Sequence, residues 1–215
     1  MTTFPERPDR PEVPYPFPPY REPPRRTDPV LVPMVSLPEG DPGQRLFDRR
    51  TVMVSGPLGH DAASRLCAQL MALDGHSADD VDLIVNSPGG PIDEVVAVLD
   101  VIDLMRAKVN TACIGRARGT AGIVVAHGTG RRRAGPNATI SLRCDAPAPT
   151  EGTADDLAQA AAELESLRRR LQDVLVRATG QPAAAVANEL VHGAVHEAAD
   201  ALALGLIDEI GRATP

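Results

Sequence analysis

The chain has 215 residues, 43% of them hydrophobic and only 2% aromatic, with a formal net charge of −7 at pH 7. One domain of about 150 residues plus a tail accounts for that length. The negative charge excludes non-specific binding to nucleic acid or to an anionic membrane as the main activity, and the basic runs Arg131-Arg132-Arg133 and Arg168-Arg169-Arg170 read as solvated faces.

Residues 1–33 are saturated with proline, as in Pro14-Tyr15-Pro16-Phe17-Pro18-Pro19-Tyr20. Neither helix nor sheet propagates through such a run, so a disordered or polyproline-like tail is predicted, followed by one domain over 34–215. Phe4, Tyr15, Phe17 and Tyr20 lie in this tail, and Phe47 is the one aromatic residue elsewhere. The tail reads either as a solvated extension or as a docking segment whose rings enter a groove on a neighbour.

Residues 30–35 read as a short strand, and the stretch up to Phe47 as a loop rich in proline and glycine. The alternation over 51–55 predicts a strand, and Leu66, Leu70 and Leu73 predict a helix over 61–73. The nearly continuous apolar run 81–85 has the pattern of a strand buried on both faces of a parallel sheet. It leads into Asn86-Ser87-Pro88-Gly89-Gly90-Pro91-Ile92-Asp93, a strand-to-helix turn whose backbone N–H groups can hold an oxyanion. The alternative is a plain glycine-containing turn. The helix that follows places Val95, Val98, Leu99, Ile102 and Met105 on one side.

A strand is predicted over 109–114, a short apolar helix flanked by glycines over 119–127, and a strand over 138–142 after Gly135-Pro136-Asn137. The stretch 145–150 is broken by Pro147 and Pro149. Thr153-Ala154-Asp155-Asp156 starts a helix in the manner of a capping box. That helix runs to about Ala178 with Leu157, Ala161, Leu164, Leu167, Leu171, Val174 and Leu175 near a 3.5-residue repeat. At about 38 Å it outlasts what one small domain needs to cover its core, so it should project and pack on another subunit; a seam used within the monomer is the alternative. Gly180 stops it, Pro182 starts a helix to about Val191, and 196–204 form a last short helix. The β, α, β, α order gives parallel crossovers and an α/β fold.

Cys67, Cys113 and Cys144 have neither metal-ligand spacing nor an even number for pairing, and reduced, mostly buried thiols are expected. There is no basic-then-apolar leader, and no apolar run nears the ~18 residues of a membrane span. A soluble cytoplasmic protein that uses no metal or cofactor is the expectation.

Asn86-Ser87-Pro88-Gly89-Gly90, Cys113-Ile114-Gly115, Pro136-Asn137, Thr179-Gly180-Gln181 and the stretch 201–210, in this order and spacing, resemble the proteolytic subunit of the Clp protease over roughly residues 31–211. The resemblance implies a crotonase-like α/β fold with a long handle helix, and a ring, usually of seven subunits, stacked in pairs through that helix. It implies a chamber that hydrolyses unfolded polypeptide fed by an ATP-driven unfoldase, with a serine–histidine–aspartate triad.

Carried over residue by residue, the nucleophile falls on Gly119, the general base on Arg143 and the orienting aspartate on Gly193. Glycine has no nucleophile, and arginine stays protonated. The oxyanion-hole elements match better, at Gly89, Gly90 and the backbone N–H of Thr120. A register slipped by one residue would make Thr120 the nucleophile, and His127, His192 or His196 would then have to act as base.

The chain also departs from the family between Phe47 and Val52, where a longer segment helps form the unfoldase-docking pockets, and at 145–150, where a strand pairs between rings. Unfoldase docking and ring stacking are both put in doubt. The expected function is a non-catalytic subunit that assembles with itself or with active relatives. The alternatives are a crotonase-fold enzyme using the Gly90 and Thr120 amides, a residual peptidase using Thr120, and a free-standing binding module recruited through the tail.

Overall fold

The computed structural model describes residues 41–144 and 153–211. The tail, the strand over 30–35 and the proline-broken stretch 145–150 lie outside the described residues.

Helix α1 (Pro42–Asp48) starts where Asp41 accepts a hydrogen bond from the Gly43 N–H at 3.2 Å and Pro42 takes the first helical position. A loop was expected here. Strand β1 (Thr51–Ser55) turns Val52 and Val54 inward and leaves Met53 exposed. Helix α2 (His60–His76) buries Ala63, Leu66, Leu70 and Leu73. Strand β2 (Val81–Ser87) buries every second residue completely and leaves Asp82, Ile84 and Asn86 half-covered, so only one of its faces is sealed.

Helix α3 (Ile92–Leu104) buries the expected stripe, with Met105 standing just past its end as the cap. Strand β3 (Val109–Ala117) runs three residues beyond the expected end. Helix α4 (Thr120–Ala126) is buried at all seven positions. Strands β4 (Arg132–Ala134) and β5 (Thr139–Ile140) follow, then α5 (Ala154–Thr179). The Thr153 hydroxyl and the Asp156 carboxylate cap α5 reciprocally, and Gly180, at φ 69°, ends it. Helix α6 (Ala183–His192), β6 (His196–Glu197), α7 (Ala198–Ala203) and β7 (Glu209–Ile210) complete the described residues.

The result is a mixed α/β fold on a sheet ordered β1-β2-β3-β4-β7, every pair parallel, with β6 antiparallel to β5. Strand β3 is the fork. Its first half pairs with β4 and its last two residues with β5. Between them the β2–β3 register shifts, and Gly115 adopts φ 66°. No helix among the described residues is long and apolar enough to cross a membrane.

The leucine stripe of α5 divides. Leu171 and Leu175 are 1% and 0% exposed and belong to this domain's own core, whereas Leu157 is 42% exposed. With 26 residues the helix is about 39 Å long. In its first half Leu157 is exposed, whereas Leu164 packs against the core.

The expectation that both arginine runs are solvated holds for Arg131, Arg169 and Arg170, which are exposed, and fails for Arg132, Arg133 and Arg168. Arg132 donates from Nε (3.1 Å) and Nη2 (2.5 Å) to the Asp208 carboxylate. From Nη1 it donates to the carbonyls of Ala126 (3.1 Å), Ala178 (2.8 Å) and Gly205 (2.9 Å). Arg133 is buried in β4, 3.4 Å from Asp82 Oδ1 and 3.7 Å from Glu209 Oε1. Half-buried Arg168 donates to the Cys144 carbonyl at 3.3 Å. A guanidinium is buried when fixed acceptors match its fork, and those acceptors come from segments distant in sequence.

Replacing Arg132 by alanine leaves those carbonyls without their donor and Asp208 with only the backbone N–H of residue 132, and should cost about 3 kcal/mol in urea unfolding, with lysine recovering a minor part. The hydrogen bond from Arg132 holds the Asp208 carboxyl below its usual range. A depressed carboxyl contributes stability above its unfolded value and loses it as pH falls through the folded one. The stability gap between the wild type and Asp208→Asn should therefore be full at pH 7 and close below about pH 4, measured as unfolding midpoints across pH.

Candidate active site

Two strand-to-helix turns meet at the carboxyl ends of β2 and β3, the usual place for a site in a parallel sheet. In the first, the buried Ser87 hydroxyl accepts from the Gly89 N–H at 3.0 Å. Gly89 has φ 91°, and a Cβ there would lie 2.5 Å from the Arg118 carbonyl oxygen; a Cβ on Gly90 would lie 1.9 Å from that of Leu58. Both glycines are demanded by backbone packed against backbone.

In the second turn, the Arg118 N–H donates to the Ser87 carbonyl at 3.0 Å, tying the turns together. Gly119 then adopts φ 55°, ψ −123° before α4 begins. A Cβ at Gly119 would stand 3.0 Å from the Arg143 carbonyl oxygen, and one at Gly122 would stand 2.3 Å from that of Ser141. Helix α4 therefore lies hard against the segment following β5. Thr120 is 3% exposed. Its hydroxyl accepts from the Gly90 N–H at 2.8 Å and donates to the Gly90 carbonyl at 3.0 Å.

Gly90, Gly119, Thr120, Arg143 and Gly193 all line one cleft of about 1020 Å³, and Gly89, which is buried, does not. Gly193 caps α6, where a Cβ would fall 2.2 Å from the Glu189 carbonyl oxygen. The Glu189 carboxylate is engaged with His196 Nε2 at 2.9 Å, and that pair lines a separate cavity of about 130 Å³. His127 Nε2 lies 2.9 Å from Asp103, His192 is exposed, and no histidine lines the large cleft.

The opposite wall is formed by Leu164 and Leu167 of α5 and by Val195. Sequence reasoning assigned those leucines to a subunit seam and missed the wall; their heptad spacing is the same for either use. None of the three cysteines is in a disulfide; Cys113 and Cys144 are buried and Cys67 is half-buried. Burial pushes the Cys113 thiol up to about 12, the reverse of what a nucleophile needs. Among the described residues no three of His, Cys, Asp and Glu lie together as a metal-ligand set.

Gly193→Asp should destabilise the chain by about 1–3 kcal/mol without creating activity, since the new Cβ must displace the Glu189 carbonyl. Thermal melting beside a peptide-hydrolysis assay checks both parts.

The Clp protease family model matches residues 39–214. An ATP-dependent Clp protease proteolytic subunit-like protein of Streptomyces coelicolor is 39% identical over 180 residues, covering 81% of this chain and 85% of its own length. Proteolytic subunit 1 of Rhodococcus jostii is 32% identical, over 80% of this chain and 79% of its own, and subunit 4 of Streptomyces avermitilis is 32% identical, over 80% and 77%. The glycine turns, the parallel sheet and the long capped helix lie within the matched region, and the chain belongs to the Clp protease family.

Proposed function

We propose that this chain is a non-catalytic Clp-type subunit, which assembles with itself or with active relatives into a ring and shapes or regulates a chamber for ATP-dependent degradation of polypeptide. One observation carries the reading: the residue at the elbow, Gly119, has no side chain to attack with. Among the described residues the cleft's hydroxyls are those of Thr120 and Ser141, and no histidine lines it to take their proton. Arg143 at the base position cannot accept a proton.

The enzyme readings are not favoured. As a nucleophile Thr120 would have to give up both of its hydrogen bonds to Gly90 with no histidine beside it, the cleft's carboxylates being those of Asp93 and Glu163 among the described residues, and as an oxyanion donor the Gly90 amide is already spent on that hydroxyl. The ring, its size, an unfoldase partner and the cytoplasm as its location are part of the proposal. So is a role for the aromatic tail in docking.

Purified protein should give background turnover of fluorogenic peptides and no labelling by a serine-reactive fluorophosphonate. Turnover abolished by Thr120→Ala, or labelling at Thr120, would overturn the reading. Gly119→Ser alone should stay at background, because Arg143 and Gly193 supply the new hydroxyl with neither a histidine base nor an orienting carboxylate.

Native mass spectrometry, of the protein alone and mixed with an active Clp subunit of the same cell, should show a ring species. Leu157→Glu places a charge on the exposed part of the α5 stripe, outside the core, and should dissociate assemblies stacked through it while the fold stays intact. Unchanged mass for this variant would remove α5 from the interface.

A further inference from the structure

One hydroxyl satisfies both backbone groups of one glycine: Thr120 Oγ1 stands 2.8 Å from the Gly90 nitrogen as acceptor and 3.0 Å from the Gly90 oxygen as donor. An oxygen at 2.8 Å fills the place that any incoming acceptor must take to use the same N–H, since useful hydrogen bonds to an amide lie at about 2.7–3.2 Å. The approach is built in. The Cβ position of Gly89 lies 3.1 Å from Thr120 Oγ1 and 3.3 Å from its nitrogen, so a side chain at Gly89 would crowd Thr120 out. The Thr120 side chain is buried, and turning it away would leave a hydroxyl and a glycine peptide group without their partners.

We propose that Thr120 determines what the cleft holds: its hydroxyl closes the Gly90 amide to peptide carbonyl oxygens. An extended peptide can then lie on the apolar wall of Leu164, Leu167 and Val195 by its side chains, but it is not gripped at a carbonyl beside Gly119. This goes beyond the missing nucleophile and stands on the geometry of the two turns alone. A chain with a serine or another attacking group restored at 119 would still face a closed amide.

The test is made on the full chain, labelled with ¹⁵N-glycine, as wild type, Thr120→Val, Thr120→Ala and Thr120→Ser. Amide exchange at Gly90 should be about tenfold slower in the wild type and Thr120→Ser than in Thr120→Val and Thr120→Ala. The Gly180 amide, which donates to the Val176 carbonyl at 3.0 Å far along the chain from both turns, should report the same protection in all four. The probe ligand is acetyl-leucyl-leucyl-leucinamide at millimolar concentration. It should shift the Gly90 amide resonance in Thr120→Val and Thr120→Ala and leave it in place in the wild type and Thr120→Ser. A Gly90 amide that exchanges as fast in the wild type as in Thr120→Val overturns the proposal, and so does one shifted by the peptide in the wild type. If neither non-hydroxyl variant folds, the wild-type protein decides: a protected amide unmoved by the peptide supports the closure, and an unprotected or shifted one overturns it. Peptide hydrolysis is not a readout here, so the outcome is separable from that of the proposed function.

Discussion

A single guanidinium holds the C-terminal ends of two helices and the turn that follows a third. Helix ends leave carbonyls without intrahelical donors and carry partial negative charge. Arg132 supplies donors to one such carbonyl near the end of each of α4 and α5 and to the Gly205 carbonyl just past α7, while its other nitrogens hold Asp208. The consequence reaches the cleft because α4 is only seven residues long and buried throughout. Fixing its last turn fixes its first, which carries Gly119 and Thr120. The close approach of Gly122 to Ser141 removes the remaining freedom. The cleft geometry thus depends on a residue at the far end of the helix that bears it.

The fork in β3 is the second constraint. A strand that pairs with β4 along its first half and with β5 at its end has to bend between the two, and the register shift at Gly115 provides the bend. The divergence opens the sheet where the β2 and β3 turns emerge, and α5 closes the gap from the other side. The apolar stripe of α5 consequently has two duties: Leu171 and Leu175 seal the core, while Leu164 and Leu167 face the cleft.

Much of this was legible from local pattern. Helices α2, α3 and α5 announce themselves through apolar spacing and caps. The glycines at 89, 90 and 119 mark places where backbone meets backbone or φ is positive, demands that leave a trace in the sequence itself. Elements decided by distant partners were not legible. Strand β4 reads as a charged surface run because nothing nearby in sequence shows that Asp82, Glu209 and Asp208 will receive its arginines. Strands β6 and β7 have two residues each, too few to show a period. Helix α1 is hidden by the proline and glycine that in fact start it. The Thr120–Gly90 contact spans 30 residues and involves a side chain that a helix start would accept for local reasons.

The conformation of Gly119 has an energetic consequence of its own. An L-residue held at φ 55°, ψ −123° stores strain of about 1–3 kcal/mol. Glycine adopts it without a Cβ penalty, at an added cost of roughly 0.5–1 kcal/mol in unfolded-chain entropy. The difference leaves the folded state ahead by about 1 kcal/mol relative to a side chain in the same place. The elbow keeps the shape of a strained turn while its strain is released, so here a sharp reversal that elsewhere taxes the fold contributes to its stability.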